Sequence, residues 1–317
     1  MKILVFGDVG IDDTLALIYA HFSEDIEIVG VVADYGNISR EHAIANVHYI
    51  SEVFNISEKI KIFAGAELPM TGEAPAYFPE IHGEYGLGPI IPSTNFTNGV
   101  VSENFFKIVD IIKAYDNELV IVNIGRLTSL ATMFILYNDL MSKIKEYYIM
   151  GGAFWFPGNV TAVSEANFYG DPIAVDIVLT YAENVTIIPL NVTEQAIVTP
   201  EMVDYIDSMG RVKIVKPMLD YYYNFYKKRN PSVEGSPMHD VLTLMAIIHE
   251  DMFSFQMLPV EVVKAEEGIE RGQSIADVRP YVTLEKKNKR KFRIAFDLDY
   301  TKFYIDFMSK MTGQQFV

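Results

Sequence analysis

The chain has 317 residues, enough for one large α/β domain with a deep core, and half of them are apolar against 21% charged, which excludes a disordered or collagen-like polypeptide. A formal net charge of −16 with no long Lys/Arg stripe argues against nucleic acid as a partner. With no cysteine there is no disulfide, thiolate nucleophile or thiolate metal ligand, so any metal must be held by oxygen or imidazole.

The apolar run at 3–6 is much shorter than a signal-peptide core, and nowhere do about twenty apolar residues run together. A cytoplasmic chain with no membrane partner is expected. Short β-branched runs at 3–6, 26–32, 60–63, 119–124, 147–150 and 185–189 read as buried strands, and helical spacing recurs at 13–21, 40–54, 103–115, 127–137 and 172–182. This alternation specifies an α/β fold: a single large, open, mostly parallel sheet flanked by helices, Rossmann-like, in one domain spanning 1–317. In such sheets the ligand crevice lies beyond the carboxyl ends of the strands. Residues 67–100, rich in Pro, Gly, Ser, Thr and Asn and without a period, read as a long surface loop able to serve as a lid. Residues 200–245 read as helical with a break at 230–237. The basic cluster Lys286, Lys287, Lys289, Arg290, Lys291 and Arg293 lies between alternating segments at 281–284 and 292–296 and reads as a solvated hairpin.

Chemistry concentrates first at Asp8-Val-Gly-Ile-Asp12-Asp13, where a strand ends, turns at Gly10 and enters a helix. Asp12 and Asp13 are explained by helix capping and the helix dipole alone. Asp8 is not: capping needs no acid on the strand side of the turn, and three acids this close raise one another's pKa unless a cation neutralises them. A hard divalent ion that selects oxygen ligands fits that need. By itself the motif is equally compatible with a magnesium phosphohydrolase that uses a strand-end Asp as nucleophile.

The motif resembles the Asp-Pro-Gly-x-Asp-Asp fingerprint of the nucleoside hydrolases, the inosine-uridine preferring nucleoside N-ribohydrolase family. Further segments match in the same order: Tyr35-Gly-Asn37, the loop His82-Gly-Glu-Tyr-Gly-Leu-Gly88, Ile124-Gly-Arg-Leu-Thr128, Gly158-Asn159 with Glu165-Ala-Asn167, and His239-Asp240. The resemblance implies hydrolysis of the N-glycosidic bond of ribonucleosides, with calcium held by Asp8, Asp13, the carbonyl of Thr128, and Asp240. A water acidified by the metal would lose its proton to Asp8, Asn37 would orient that water, and Asp12, Asn159, Glu165 and Asn167 would bind the ribose hydroxyls. His239 would protonate the leaving base, and His82 would contact sugar or base. By analogy with the family, a homodimer or homotetramer is expected.

For several of these residues a plainer reading stands beside the functional one. Asn159 after Gly158 and Asn37 after Gly36 suit turns, and a His-Asp pair opening a helix suits a cap. The aromatic run Tyr221, Tyr222, Tyr223, Phe225 and Tyr226 suits helical packing with one or two rings left to stack on a base. Phe154, Trp155 and Phe156 are adjacent rather than helically spaced, so at least one is expected to line the pocket. The family's pattern is broken at Phe6, where an Asp is usual, at Val9 in place of Pro, and at Arg126 in place of a small residue or Pro. A guanidinium there could pair with a carboxylate or reach a phosphate. The departures at Phe6 and Val9 keep a non-catalytic, calcium-dependent nucleoside or ribose binder as a rival reading beside the phosphohydrolase.

Overall fold

The computed structural model describes residues 1–56, 60–92, 104–279 and 289–316. Six strands appear where the sequence places them: β1 (Lys2–Gly7), β2 (Glu27–Ala33), β3 (Lys61–Ala64), β4 (Leu119–Asn123), β5 (Glu146–Met150) and β6 (Val185–Ile188). Two more, β7 (Phe253–Leu258) and β8 (Phe292–Leu298), complete an eight-stranded sheet in the order β3-β2-β1-β4-β5-β6-β8-β7. All neighbours run parallel except β7, which pairs antiparallel to β8 at the edge.

Period-two alternation divides the core between the two faces of the sheet. Ile3 and Val5 of β1 pack with the helices Ile11–Phe22, Arg40–Val53, Val215–Arg229, His239–Ile248 and Tyr300–Thr312, whereas Leu4 and Phe6 pack with Phe105–Tyr115, Thr128–Met141 and Pro172–Tyr181. Covered on both sides, the central strands must be apolar throughout, which is why they read as short continuous hydrophobic runs. After β1 the chain adds β2 and β3 on one flank and then returns to build β4, β5 and β6 on the other. The order therefore reverses between β1 and β4, and the loops leaving β1, β2 and β4 diverge around a crevice at their carboxyl ends.

Two corrections concern the C-terminal third. Segment 292–296 belongs to β8, inside the main sheet with Ile294 and Ala295 fully buried, because β6 needs a further strand to cover its outer edge. The other arm of the expected hairpin, 281–284, lies outside the described residues, as do Lys286 and Lys287 and residues 93–100 of the long loop. The helical stretch 200–245 is three helices, Pro200–Ser208, Val215–Arg229 and His239–Ile248. Its second break is a two-residue strand, Ser236–Pro237, paired with Ile197–Val198. No helix of the described residues is long and apolar enough to cross a membrane.

Candidate active site

The loop after β1 turns at Gly10 into helix Ile11–Phe22. The turn is closed by Asp13, whose Oδ2 accepts the Gly10 N–H at 2.9 Å, so the capping explanation of this acid is correct for one of its oxygens. The other, Oδ1, is buried without a partner, as is Oδ1 of Asp12. Asp240, in the first turn of His239–Ile248, joins them: ligand oxygens of Asp12, Asp13 and Asp240 all lie within 4.8 Å of one another. Asp8 flanks this trio at the end of β1, accepting the Asn37 N–H at Oδ2 (2.6 Å) and the Asn37 side-chain amide at Oδ1 (3.4 Å). Asn37 also reaches Asp13 Oδ2, at 3.1 Å. Such packing requires Gly36, since a Cβ there would stand 1.8 Å from Asp8 Oδ2.

These are four carboxylates, each no more than 6% exposed. Burial pushes Asp8 up to about 6 and, with the charge of Asp8 added, Asp12 up to about 7. Asp13 and Asp240 rise well above the usual carboxylate range through burial and repulsion from the other acids. A buried, unpaired charge is costly, so the cluster favours keeping protons or gaining a positive charge close by. The donor set is hard oxygen throughout, and the two orphaned oxygens supply vacant lone pairs, so the residues fit a hard divalent cation.

One expected ligand is not brought to the cluster. Thr128 opens helix Thr128–Met141, its carbonyl accepts the Thr132 hydroxyl at 2.8 Å, and its hydroxyl bonds Asp171 (2.7 Å) and Tyr35 (2.9 Å). A carbonyl in the first turn is directed along its own helix, so it cannot face an ion outside it. The residue of that loop that does line the crevice is Ile124, directly after β4, whose carbonyl accepts from Asn167 Nδ2 at 3.1 Å.

Above the acids lies a cavity of about 180 Å³ lined by Asp12, Asn37, His82, Asn159, Glu165, Asn167, His239 and Asp240, so it gathers the expected substrate residues. His82 accepts the Ile11 N–H at Nδ1 (3.1 Å), which leaves its hydrogen on Nε2, and burial lowers it to about 3. His239, lowered by burial to about 4, bonds the Thr193 hydroxyl through Nδ1 at 2.8 Å and keeps a buried Nε2 with no protein partner. The Ser236–Pro237 strand and the Met238 N–H bond to the Ala196 carbonyl pin this helix start beside Thr193. Glu165 caps the short helix Ala166–Gly170, accepting from Asn167 (2.7 Å), Phe168 (3.1 Å) and Gly152 (2.9 Å). Three of its roughly four acceptor positions are thereby used, leaving one for a substrate hydroxyl. Asn159, which is exposed, spends its carbonyl on the Ala166 N–H (2.9 Å), and among the described residues its amide hydrogens meet no protein acceptor.

The roof comprises Phe78, with Glu80 and Ile81 of the short helix Pro79–His82, and Tyr222, Phe225, Tyr226 and Arg229 from Val215–Arg229. None of Phe154, Trp155 and Phe156 lines this cavity: Phe154 is core, and Trp155 stacks on Phe296 beside a different groove. Their adjacency reflects a chain turning over the sheet rather than a wall. Thr193, Ile124 and Met150 were beyond sequence reasoning, since one acts through a histidine, one through its main chain, and one looks like any core residue at the end of a strand. Phe6 is fully buried in the core, so no acid stands behind Asp8 there.

An open, mostly parallel sheet with buried acids at its switch point and a polar, aromatic-roofed cavity above them defines an α/β enzyme built for a small polar substrate. Comparison with known proteins sharpens this. The inosine-uridine preferring nucleoside hydrolase profile matches residues 3–305. Uridine nucleosidase 1 of Arabidopsis thaliana is 29% identical over 280 residues, covering 87% of this chain and 82% of that one. The inosine-uridine preferring nucleoside hydrolase of Crithidia fasciculata is 26% identical over 307 residues, covering 96% and 95%. Among solved structures, the purine-preferring ribonucleoside hydrolase from Gardnerella vaginalis superposes with a TM-score of 0.89 at 28% identity, covering 99% of this chain and 98% of that one. The chain belongs to the inosine-uridine preferring nucleoside hydrolase family and is a nucleoside N-ribohydrolase, a glycosidase acting on N-glycosyl bonds. The phosphohydrolase and non-catalytic readings are not favoured by this membership.

Proposed function

We propose that the protein hydrolyses ribonucleosides to ribose and free base, with calcium as its cation and Asp8 as the base that deprotonates the attacking water. The observation carrying this reading is the set of four buried carboxylates with two orphaned oxygens beneath the cavity, of which Asp12 and Asp240 line it. Calcium held by Asp8, Asp13, Asp240 and the Ile124 carbonyl would supply the charge that makes a nearby water acidic at neutral pH. Asp8 would be the group that accepts a proton from the attacking water, and Asn37, bonded to both Asp8 and Asp13, fixes the angle of that acceptor.

Breaking the N-glycosidic bond builds positive charge on the ribose ring. Asp12, Glu165, Asn167 and Asn159 present oxygens and amides to the sugar, an electron-rich cup that favours that charge. The departing base leaves toward the roof, where His239 Nε2 has no competing protein partner; with Nδ1 accepting the Thr193 hydroxyl, Nε2 carries the hydrogen that is directed to the base, and full proton transfer requires the base to raise the proton affinity of this buried imidazole as it departs. His82, which also lines the cavity, contributes Nε2–H.

The relatives' names divide between uridine, inosine-uridine and purine, so the assay includes both base classes. Self-association as a dimer or tetramer belongs to the proposal and is supported by an exposed apolar groove at Trp155, Ile275 and Val278; light scattering checks it. The decisive assay incubates purified protein with purine and pyrimidine ribonucleosides, with and without a calcium chelator, and measures free ribose. Ribose release abolished by chelator and restored by calcium is expected. Release that ignores the chelator removes the metal from the mechanism, and no release from any nucleoside overturns the reading.

A further inference from the structure

A buried arginine stands behind the loop that holds Asp8. Arg126 follows Gly125 after β4 and is only 6% exposed. Its Nη2 donates to the Ala76 carbonyl (3.1 Å) and, at longer range, to the Gly36 carbonyl (3.5 Å), and its guanidinium lies 5.1 Å from the centre of the Tyr35 ring. Its slot is shaped for it: a Cβ on Gly170 would fall 2.5 Å from Arg126 Nε. Among the described residues it makes no ion pair. On its far side it borders a second cavity, but Glu73 there is already held by both terminal nitrogens of Arg271, and Glu266 and Glu267 are exposed.

What Arg126 faces on its near side is a peptide. The unit joining Gly36 to Asn37 offers its carbonyl to Arg126 and its N–H to Asp8 Oδ2, the latter at 2.6 Å. In a trans peptide the C=O and N–H point in opposite directions, so guanidinium and carboxylate sit at the two ends of one dipole and polarise it in the same sense.

We infer that Arg126 is a resident counter-charge and positioning residue for the acid cluster, holding Asp8 through the Gly36–Asn37 peptide when no cation is bound and weakening the cluster's affinity for a divalent cation. The second half rests on the metal reading given above; the first does not. A plain structural strut, tying the loop at Ala76 to the end of β4, would act oppositely on binding. Losing a strut loosens the ligands and weakens cation binding, whereas losing a positive charge leaves the acids more repulsive when empty and more attractive to an entering cation.

The test uses the full-length, metal-stripped protein with Arg126→Met, which keeps most of the volume, and Arg126→Lys, which keeps the charge. Without metal, Arg126→Met should lower the melting temperature, and adding Asp8→Asn should recover most of that loss, although Asp8→Asn alone gives no comparable gain. Calcium alone, titrated calorimetrically, should bind Arg126→Met about tenfold more tightly than the parent, with Arg126→Lys close to the parent. Additive melting shifts in that cycle overturn the counter-charge, and unchanged or weaker calcium binding by Arg126→Met overturns its effect on affinity. If Arg126→Met does not fold, Arg126→Gln replaces it, retaining a donor for the Ala76 carbonyl. If the parent takes up no calcium, the metal reading fails while the melting cycle still decides whether Arg126 neutralises Asp8.

Discussion

The floor and the roof of the cavity are built by different means. On the floor, side chains are fixed by main-chain groups: Asp13 by the Gly10 amide, Asp8 by the Asn37 amide, Glu165 by three amides. On the roof, side chains are fixed mostly by one another: the Tyr222 and Tyr226 hydroxyls meet at 3.2 Å, Phe225 packs edge-on to Tyr226, and His82 lies 5.8 Å from Tyr222, ring to ring. A hydrogen bond from the Tyr221 hydroxyl to the Pro79 carbonyl also ties this aromatic helix to the segment that carries His82. A floor positioned by the sheet inherits its geometry from the fold and serves a single chemistry. A roof of mutually packed rings can be recomposed without disturbing the sheet, which suits the part of the site that meets a variable base.

If that division holds, floor variants should damage every substrate alike and roof variants should discriminate. The largest effect is expected for Asp8→Asn, which removes the proton acceptor: ribose release should fall about a thousandfold, both from nucleosides and from a riboside with a nitrophenoxide leaving group. Near-normal turnover by this variant would refute the role of Asp8. His239→Ala should slow nucleoside cleavage about a hundredfold while sparing the nitrophenoxide riboside, because that leaving group departs as a stable anion and needs no proton. Equal losses on the two substrates would place His239 with the floor rather than the roof.

The same division explains how far the sequence could be read. The six parallel strands and the acids at their ends were legible because a doubly covered strand must be continuously apolar, and an unneeded acid at its end stands out. β8 was misread because its two ends carry Arg293 and Asp297 and a basic run precedes it, so its local pattern imitates an exposed hairpin although Ile294 and Ala295 are buried. Thr128 was assigned a ligand role because motif order does not say which carbonyl of a loop turns outward; that depends on where the helix begins, and here it begins at Thr128 itself. The roof was least legible, since an aromatic run at helical spacing looks the same whether it faces a core or a cavity.

Smaller effects should separate the roof further. Tyr226→Phe deletes the hydroxyl shared with Tyr222 and leaves the ring in place. It should change the ratio of kcat/KM between a purine and a pyrimidine nucleoside by about tenfold at most, with calcium affinity unchanged. A parallel loss on all bases with weakened calcium binding would mean that the helix Val215–Arg229 supports the floor after all.

The smallest effect concerns an acid outside the cavity. Asp34, fully buried after β2, accepts from the Ala66 N–H and the Ser129 hydroxyl at Oδ1, while its Oδ2 has no partner. Burial raises it from 3.8 to about 8. Between those values the unfolded chain has released this proton and the folded chain has kept it, so the unfolded state binds fewer protons and stability must fall as pH rises from about 4 to about 8. Asp34→Asn keeps the shape and removes the titration. Denaturant midpoints of parent and variant, measured with calcium present, should therefore draw apart in the variant's favour between pH 5 and pH 8, while ribose release at pH 7 changes little. A constant gap across that range would mean that Asp34 is ionised in the folded protein. Its charge would then have to be balanced by Arg40, whose influence on Asp34 favours the ionised form and whose Nη1 bonds the nearby Gly65 carbonyl at 3.3 Å.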